Sequence, residues 1–415
     1  MIKELLISLE YTNTEIKGMA CEYYNTRYNV LAFDSIICDG IDNYQIVDKD
    51  LVKEQTLKLI SNLENKLNGA KIRKVLLVIP PVNYSRKSFV SEIITDQGYI
   101  TNKDVDRGIR KILNTDIDED LFIVNAYITK YEVNGITSRI IPIETACQNF
   151  KINTELLLAD KKLVFEYVTL LSEINIDVLD ISLSTYGLVR EAVLLEKSIQ
   201  KNILIFELNN QNSSIAYLKN DKIMSIEILD YSLNKLVQPL VDKYDIPYNV
   251  AIRFFKYCLC QDDNYYDDAI YAWNKNEINY SISKRILYET CKPAIDEFIN
   301  DFKSLIQPIT EYGETVLYVT SEGADAQGLI DILKNEINIE IEAYYPMAPG
   351  ARNGKYSNLY GSFYAHKELF DLRNKKESCV DLQILNDSLT LKNPENKEDE
   401  DTITTKIKKF FTEIR

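Results

Sequence analysis

A repeated arrangement of strands and turns constrains the fold of this chain more than any other feature. One copy runs from Leu5 to Phe33 and the other from Ile203 to Leu229. In each copy an apolar strand ends in a carboxylate, Glu10 or Glu207, and a short turn rich in Asn, Thr and Ser follows. A return strand, a tight hairpin and a third strand complete the unit. Similar units at distant positions indicate an internal duplication, and we therefore predict two similar lobes.

Length and composition agree with a folded protein of more than one unit. At about 150 residues per domain, a chain of 415 residues is expected to form two or three compact units or one composite fold. Hydrophobic residues make up 46% of the chain and charged residues 27%, which is typical of a globular protein. The formal net charge of −15 repels nucleic acid over most of the surface, so we expect no nucleic-acid partner.

Cysteine and histidine limit the chemistry that the chain can perform. The seven cysteines are scattered, and the closest pair, Cys258 and Cys260, has no second pair nearby, which favours reduced thiols over a zinc site. The one histidine, His366, lies in an amphipathic helical pattern. We predict a structural role for it, which argues against hydrolysis by a histidine base.

The beginning of the chain carries acidic residues within its apolar run and no small-residue cleavage site. No later window approaches 18 uninterrupted apolar residues, the length of a membrane span. We therefore expect a protein that stays in the cytoplasm.

The segment between the two copies has a different pattern. Residues Lys74 to Pro80 form an apolar run typical of a buried strand. The following residues predict a compact inserted α+β unit of about 80 residues. Its expected elements are strands at Ser88–Ile94, Leu121–Glu132 and Ser138–Ile143 and a helix at Asn102–Leu113, followed by a helix at Lys161–Glu173.

After the second copy the pattern is mainly helical. We predict helices at Leu233–Lys243, Tyr248–Tyr257 and Ser283–Ile306, an acidic Tyr-rich loop at Gln261–Ala272, a strand at Thr315–Thr320 and a helix from Leu329.

The C-terminal residues carry the sharpest local signal. Residues 374–400 are polar and acidic, as in a flexible linker. An amphipathic helix is predicted at 401–415, because five apolar residues share one face: Ile403, Ile407, Phe410, Phe411 and Ile414. Basic residues flank that face: Lys406, Lys408, Lys409 and Arg415. This pattern favours reversible binding to an anionic membrane surface, and the alternative is a helix that packs on its own body or in a partner's groove.

Neither of the common glycine-rich nucleotide motifs is present in the sequence. The paired turns nevertheless suggest a nucleotide, because facing turns can hold phosphates with N–H and hydroxyl groups. Carboxylates at the two strand ends, Glu10 and Glu207, would hold Mg²⁺ through water.

The order of these parts resembles the actin-like ATPases. The unit inserted in the first lobe and the tethered terminal helix resemble the FtsA family of bacterial cell-division proteins, over essentially the whole chain. Where that family has Asp-Ile-Gly-Thr-Ser/Thr, this chain has Glu10-Tyr11-Thr12-Asn13-Thr14. Where the family has Asp-Ile-Gly-Gly-Gly-Thr-Thr-Asp, this chain has Glu-Leu-Asn-Asn-Gln-Asn-Ser-Ser at 207–214. The adenosine segment Thr-Gly-Gly-Gly/Ala corresponds to Thr-Ser-Glu-Gly-Ala at 320–324, and residues 183–187 and 356–361 match the two connecting helices.

The resemblance implies an α/β fold of two actin-like (ribonuclease H-like, duplicated) lobes with an inserted α+β domain and a C-terminal amphipathic helix. It divides the chain into a first lobe (1–82, 163–195 and 355–373), an inserted domain (83–162), a second-lobe core (196–241 and 310–354), an outer part of the second lobe (242–309), a linker (374–400) and the terminal helix (401–415).

The resemblance also implies ATP or ADP with Mg²⁺ in the cleft between the lobes. The residues that it assigns to the nucleotide are Thr12, Asn13, Thr14, Asn209, Asn210, Gln211, Asn212, Ser213, Arg253, Lys256, Lys284, Gly323 and Ala324. Side chains replace the family's glycines and would crowd the phosphates, and the longer Glu10 and Glu207 displace the carboxylates by one methylene. We expect at most a weak ATPase, and the alternative is that these turns no longer serve ATP.

The function that the resemblance implies is self-assembly into filaments and attachment of the tubulin-like protein FtsZ to the inner face of the cell membrane at the division site. In the family the C-terminal peptide of FtsZ binds the outer part of the second lobe, here within 242–309. Three alternatives stay open: a PilM-like platform protein of a pilus or secretion system, a nucleotide-independent scaffold, and a sugar or acid kinase of the same superfamily.

Overall fold

A computed structural model describes residues 4–24, 27–259, 267–275, 277–373 and 378–380. The elements up to the first crossover strand are β1 (Glu4–Tyr11), β2 (Glu15–Tyr24), β3 (Arg27–Ile37), β4 (Ile41–Asp42), β5 (Gln45–Ile46), α1 (Lys49–Lys66) and β6 (Lys74–Ile79). The next are β7 (Ser85–Ile94), α2 (Asn102–Leu113), β8 (Leu121–Val133), β9 (Ile136–Ser138), β10 (Asn149–Asp160), α3 (Lys161–Glu173), β11 (Asp177–Leu183), α4 (Ser184–Glu191) and α5 (Leu194–Lys197). The remainder are β12 (Asn202–Leu208), β13 (Ser213–Lys219), β14 (Lys222–Leu229), α6 (Leu233–Tyr244), α7 (Tyr248–Cys258), β15 (Ala269–Lys275), β16 (Ile278–Ser283), α8 (Lys284–Thr310), β17 (Thr315–Thr320), α9 (Gln327–Glu336), β18 (Glu340–Ala343) and α10 (Ser357–Arg373).

Two five-stranded sheets share one topology. The first has the order β3-β2-β1-β6-β11 and the second the order β14-β13-β12-β17-β18. In both sheets the first three strands pair antiparallel and the two crossover strands pair parallel. The predicted duplication and the two-lobed α/β fold are confirmed. The hairpin between β13 and β14 turns at Asn220 and Asp221, both at positive φ, as a tight two-residue turn requires.

The inserted unit is a four-stranded sheet with the order β7-β10-β8-β9, and α2 packs on it. One strand prediction was wrong here, and one strand was missed. The third strand lies at Ile136–Ser138 and not at Ser138–Ile143, because the hairpin turn falls at Asn134 and Gly135. Strand β10 was not predicted, although it pairs with both β7 and β8, because its polar Asn, Lys and Thr positions hide the alternation of buried residues.

The inserted unit also contacts the second lobe. Lys222, at the start of β14, forms an ion pair of 2.5 Å with Glu155 of β10. Asp221 pairs with Arg139 at 3.1 Å, and the hydroxyl of Tyr84 donates to the carbonyl of Ile223 at 3.2 Å. The two halves of the molecule are therefore tied together through the insertion.

The outer part of the second lobe contains α7, α8 and the hairpin β15–β16. Residues Ala269 to Ala272 belong to strand β15, so this part of the predicted Tyr-rich loop was wrong, because Ile, Tyr and Trp favour a paired strand. Residues 261–266 lie outside the described ranges, as do residues 381–415, which include the predicted membrane helix and most of the predicted linker.

Residues 378–380 pack on the first lobe. The amide of Cys379 donates to the carbonyl of Leu5 at 2.8 Å, and its carbonyl accepts from the amides of Arg73 and Lys74. Both Cys379 and Val380 are buried. This segment satisfies backbone groups at the open ends of β1 and β6.

His366 of α10 lies 2.8 Å from Asp180 of β11 through Nδ1, in accordance with a structural role. The six cysteines within the described ranges are free thiols. Among the described helices, none is long and apolar enough to cross a membrane.

The two connecting helices, α4 and α10, cross at a point where only glycine fits. A Cβ on Gly361 would lie 2.3 Å from the carbonyl carbon of Gly187, and a Cβ on Gly187 would lie 2.8 Å from the amide of Ser362. The neighbouring atoms are backbone, so they cannot rotate away. This crossing joins the lobes.

We predict that Gly361→Ala lowers the free energy of unfolding by about 1 to 3 kcal/mol, because the added methyl group forces the two helices apart. Chemical denaturation followed by circular dichroism measures the change. Ser172→Ala, on an exposed position of α3, serves as the control and should have little effect. An unchanged stability of the Gly361→Ala protein would contradict the close crossing.

Candidate functional site

The two sequence-predicted turns meet at the bottom of the cleft between the lobes. The first turn contributes Thr12, Asn13 and Thr14, and the second contributes residues 209–212. Glu15, Lys17 and Glu322 complete the wall of the same small cavity. The duplication places the turns opposite each other, because each follows the equivalent strand of its own sheet, β1 or β12.

Each turn is closed by its own hydrogen bonds. The hydroxyl of Thr12 donates to the carbonyl of Glu15 at 2.9 Å, and Asn13 accepts the amide of Tyr44 at 2.8 Å. In the second turn the amide of Asn209 donates to the carbonyl of Asn212 at 2.9 Å. Several groups that the sequence suggested for phosphate binding are therefore engaged within the protein.

The two strand-end carboxylates converge on one side-chain amide. Nδ2 of Asn358, in the first turn of α10, lies 3.0 Å from Oε1 of Glu10 and 3.1 Å from Oε2 of Glu207. The hydroxyl of Thr185, in the first turn of α4, donates to Glu207 at 2.7 Å. Burial raises the pKa of Glu207 above its ordinary value, and the hydrogen bonds from Thr185 and Asn358 offset only part of that effect.

Lys17 supplies the positive charge at this joint. Its ammonium lies 2.7 Å from Oε2 of Glu10, and both side chains are more than nine-tenths buried. The ammonium also donates to the carbonyl of Lys355 at 3.1 Å. Burial alone would lower the pKa of Lys17, but the charges of Glu10 and Glu15 outweigh burial and hold the pKa above its ordinary value.

A second lysine neutralises the first turn from the other side. The ammonium of Lys355 lies 2.5 Å from Glu15 and 3.0 Å from the hydroxyl of Ser35. Lys355 precedes α10, so this ion pair links the entrance of the connecting helix to strand β2.

On the predicted adenosine side, only Lys256 reaches the 320–325 segment through the contacts described. It pairs with Glu322 and lies 3.7 Å from Asp325. Burial would raise the pKa of Glu322, but Lys256 outweighs it and holds the pKa below its ordinary value. Arg253 is exposed, and neither Arg253 nor Lys284 lines the cavity between the turns.

The glycine of the predicted adenosine segment does not open a space for a ligand. A Cβ on Gly323 would lie 2.6 Å from Cβ of Leu208, and Ala324 is fully buried. The hydroxyl of Tyr345 donates to the carbonyl of Ala324 at 2.5 Å. Leu208 therefore occupies the space on the Cβ side of Gly323, and the backbone of Ala324 is bonded within the protein.

As the described residues stand, the space between the two turns is too small for the phosphates of a nucleotide. The cavity between the turns has a volume of about 20 Å³, which is room for about one water molecule. Ligand pockets usually measure about 300 to 1,000 Å³. Several buried polar atoms around the cleft have no hydrogen-bond partner among the described residues, and single water molecules would satisfy them: Asn210 Oδ1, Ser213 Oγ, Thr320 Oγ1, Ser357 Oγ and Asn358 Oδ1.

The described residues around Glu10 and Glu207 also do not fit a bound Mg²⁺. Within the described ranges, no group of three His, Cys, Asp or Glu side chains is arranged to hold a metal ion. The expected position of Mg²⁺, close to Glu10 and Glu207, is taken by the ammonium of Lys17 and the amide of Asn358.

Sequence reasoning missed the residues that fill the cleft: Glu15, Lys17, Thr185, Glu322, Lys355 and Asn358. The sequence did contain a signal for Thr185 and Asn358. Each is a polar residue at the start of a connecting helix, where the two helices pack closely and a polar side chain is unexpected unless it has a partner. Lys17 carried none, because a lysine in a strand is ordinarily exposed.

We predict that Glu207→Gln stabilises the protein increasingly as the pH rises above the pKa of a glutamate in the unfolded chain. The raised pKa of Glu207 means that folding favours its protonated form. The contribution of this group to stability is therefore full below its pKa in the unfolded chain and is lost as the pH rises through its pKa in the folded protein. Glutamine imitates the protonated form at every pH.

Denaturation of both proteins across this pH range measures the difference in the free energy of unfolding. Glu173→Gln is the opposite control, because hydrogen bonds from Lys49 and Lys53 lower the pKa of Glu173. A difference for Glu207→Gln that does not grow with pH would contradict a raised pKa of Glu207 in the folded protein.

The sequence and the fold of the chain were compared with those of known proteins. No family model matches the chain. The chain is 20% identical over 443 residues to the cell division protein FtsA of Enterococcus hirae, and the match covers 99% of this chain and 98% of the relative. It is 16% identical over 382 residues to the cell division protein FtsA of Staphylococcus epidermidis, covering 89% of this chain and 81% of the relative.

The fold is similar to solved structures that have little sequence in common with it. One is a chain of the PilM–PilN type IV pilus biogenesis complex, with a TM-score of 0.55, 10% identity and coverage of 88% of this chain and 98% of that chain. Another is the ethanolamine utilization protein EutJ from Carboxydothermus hydrogenoformans, with a TM-score of 0.50, 9% identity and coverage of 87% and 89%. The chain is therefore similar in sequence to FtsA proteins from end to end and shares a two-lobed fold with the solved structures, which supports a divergent FtsA-like, actin-like protein.

Proposed function

We propose that this protein is an actin-like cell-division protein that self-assembles and attaches FtsZ to the inner face of the cytoplasmic membrane. The observation that carries the proposal is the match to the cell division protein FtsA over 99% of the chain. That match includes the inserted domain and the C-terminal residues, so the relationship extends beyond the common two-lobed core. Binding of ATP or ADP with Mg²⁺ stays a prediction of the resemblance, and the small, ion-paired cleft argues against it.

The membrane contact in this proposal is the C-terminal segment at 401–415. Burial of each of its five apolar side chains in the lipid boundary is worth roughly 1.5 to 3 kcal/mol before ordering is counted, and each basic residue adds about 1 kcal/mol near an anionic leaflet. One such helix binds reversibly, whereas several copies held in one assembly bind together with much greater strength. Self-assembly and membrane attachment therefore support each other.

We predict that Phe410→Glu/Phe411→Glu abolishes sedimentation of the full chain with anionic vesicles, because two charges enter the apolar face. The matched control is Thr405→Glu/Thr412→Glu, which adds the same charge to the opposite side of the predicted helix and should retain most of the binding. Equal binding by both variants would contradict a membrane role for this face.

The proposed contact with FtsZ lies on the outer part of the second lobe. An aromatic cluster is partly exposed there: the ring of Trp273 is 5.3 Å from Tyr271, 5.2 Å from Tyr280 and 5.9 Å from Tyr244. Tyr271 is 41% exposed, and the neighbouring Ile278 is 56% exposed. Aromatic side chains of this kind commonly anchor a bound peptide.

We predict that Trp273→Ala weakens binding of the FtsZ C-terminal peptide at least 30-fold, because loss of an interface anchor removes about 2 kcal/mol or more. Fluorescence anisotropy with a labelled peptide measures the affinity. Tyr312→Ala, at an exposed position away from the cluster, is the control and should bind normally. Full affinity in a folded Trp273→Ala protein would place the contact elsewhere.

A PilM-like platform function is the second candidate, and the structural similarity to the PilM–PilN complex favours it. The two functions differ in what they require of the C-terminal segment. Loss of vesicle binding in the Phe410/Phe411 variant together with binding of the FtsZ peptide supports the cell-division function. Absence of both activities in the unaltered protein would favour the platform function.

A further inference from the structure

We infer that the cleft between the lobes is a permanent internal joint, in which Lys17, Asn358 and Lys355 take the place of a nucleotide and its divalent cation. The chain therefore holds its two lobes in one arrangement without a ligand. This inference goes beyond the proposed function and does not rest on it, because it concerns only contacts within the body of the protein.

The first observation is the charge balance of the cleft. Among the residues that the structure describes, the carboxylates of Glu10, Glu15, Glu207 and Glu322 lie around it, and the ammonium groups of Lys17, Lys256 and Lys355 compensate them. A triphosphate would add further negative charge and would have to displace ammonium groups that are already paired. A buried carboxylate left without its partner is strongly unfavourable, so the internal pairs resist exchange.

The second observation is that the joint spans both lobes. Glu10 belongs to the sheet of the first lobe and Glu207 to the sheet of the second. The amide of Asn358 lies within hydrogen-bond distance of both carboxylates, and Asn358 stands on a helix that connects the lobes. A cation bound between the two carboxylates would connect the lobes in the same way, but here a side chain of the protein makes the connection.

The third observation is a second tie between the lobes, remote from the cleft. The ion pairs Lys222–Glu155 and Arg139–Asp221 join the hairpin of the second lobe to the inserted unit. Rotation of one lobe against the other would break these pairs together with the central joint. Two separated ties restrain a hinge far more than one does.

The first test is thermal unfolding of the full chain with 1 mM ATP, ADP or a non-hydrolysable ATP analogue, each with and without Mg²⁺. We expect the midpoint to stay within about 1 °C of the ligand-free value. A ligand present at a hundred times its Kd would raise the midpoint by about 3 °C for a chain of this length. A rise of that size with any of these nucleotides overturns the inference.

The second test removes the central charge. Lys17→Met should lower the midpoint by about 3 to 6 °C, because it leaves a buried carboxylate unpaired. The matched control is Lys53→Met, which removes a partly exposed ion pair of 2.6 Å with Glu173 and should change the midpoint by less than about 1 °C. The double variant Glu10→Gln/Lys17→Met should recover part of the loss, because the two side chains are energetically coupled.

The third test separates a joint between the lobes from an ordinary stabilising contact. Spin labels carried by encoded amino acids at the exposed positions Leu57 and Tyr312 report the distance between the lobes. We expect one narrow distance distribution in the unaltered protein, unchanged by ATP with Mg²⁺, and a broader one in Asn358→Ser, which removes the amide that reaches Glu10 and Glu207. Thr185→Ala, which removes the other side-chain donor to Glu207, gives a second reading should Asn358→Ser fail to fold. A distribution that stays narrow in a folded Asn358→Ser or Thr185→Ala protein overturns the inference.

Discussion

The arrangement of the lobes depends on two buried carboxylates that meet at one point. Glu10 and Glu207 end equivalent strands of the duplicated sheets, and the duplication brings them face to face. Two carboxylates in a buried cleft repel each other and lose hydration, so the protein must supply positive charge and hydrogen-bond donors. Lys17, Thr185 and Asn358 supply them.

This requirement explains features around the cleft that otherwise look unrelated. Helices α4 and α10 each begin with a polar side chain that reaches Glu207, and the close crossing at Gly187 and Gly361 fixes both helix starts at the right distance. Lys355, one turn before α10, neutralises Glu15. The same crossing therefore fixes the positions of Thr185 and Asn358 relative to both lobes.

In a protein similar to FtsA, a joint of this kind would make the arrangement of the two lobes independent of a bound nucleotide. The aromatic cluster around Trp273 shares no residue with the small cavity between the turns, so the proposed contact there does not require the cleft to open. Attachment and assembly would then be controlled by the local concentration of membrane and partners. This is consistent with the replacement of the family's glycines in both turns by larger side chains.

The sequence by itself determined the duplication, the strands that end in Glu10 and Glu207, the inserted unit and most helix positions, because apolar periodicity and turn residues are local signals. It failed for β10, whose polar residues obscure the alternation, and for β15, which follows an acidic run. Only the tertiary structure decided how the side chains around the two turns are paired. Thr185 and Asn358 reach Glu207, and Lys355 reaches Glu15, from distant parts of the chain. These contacts arise from burial and long-range packing, which local periodicity does not encode.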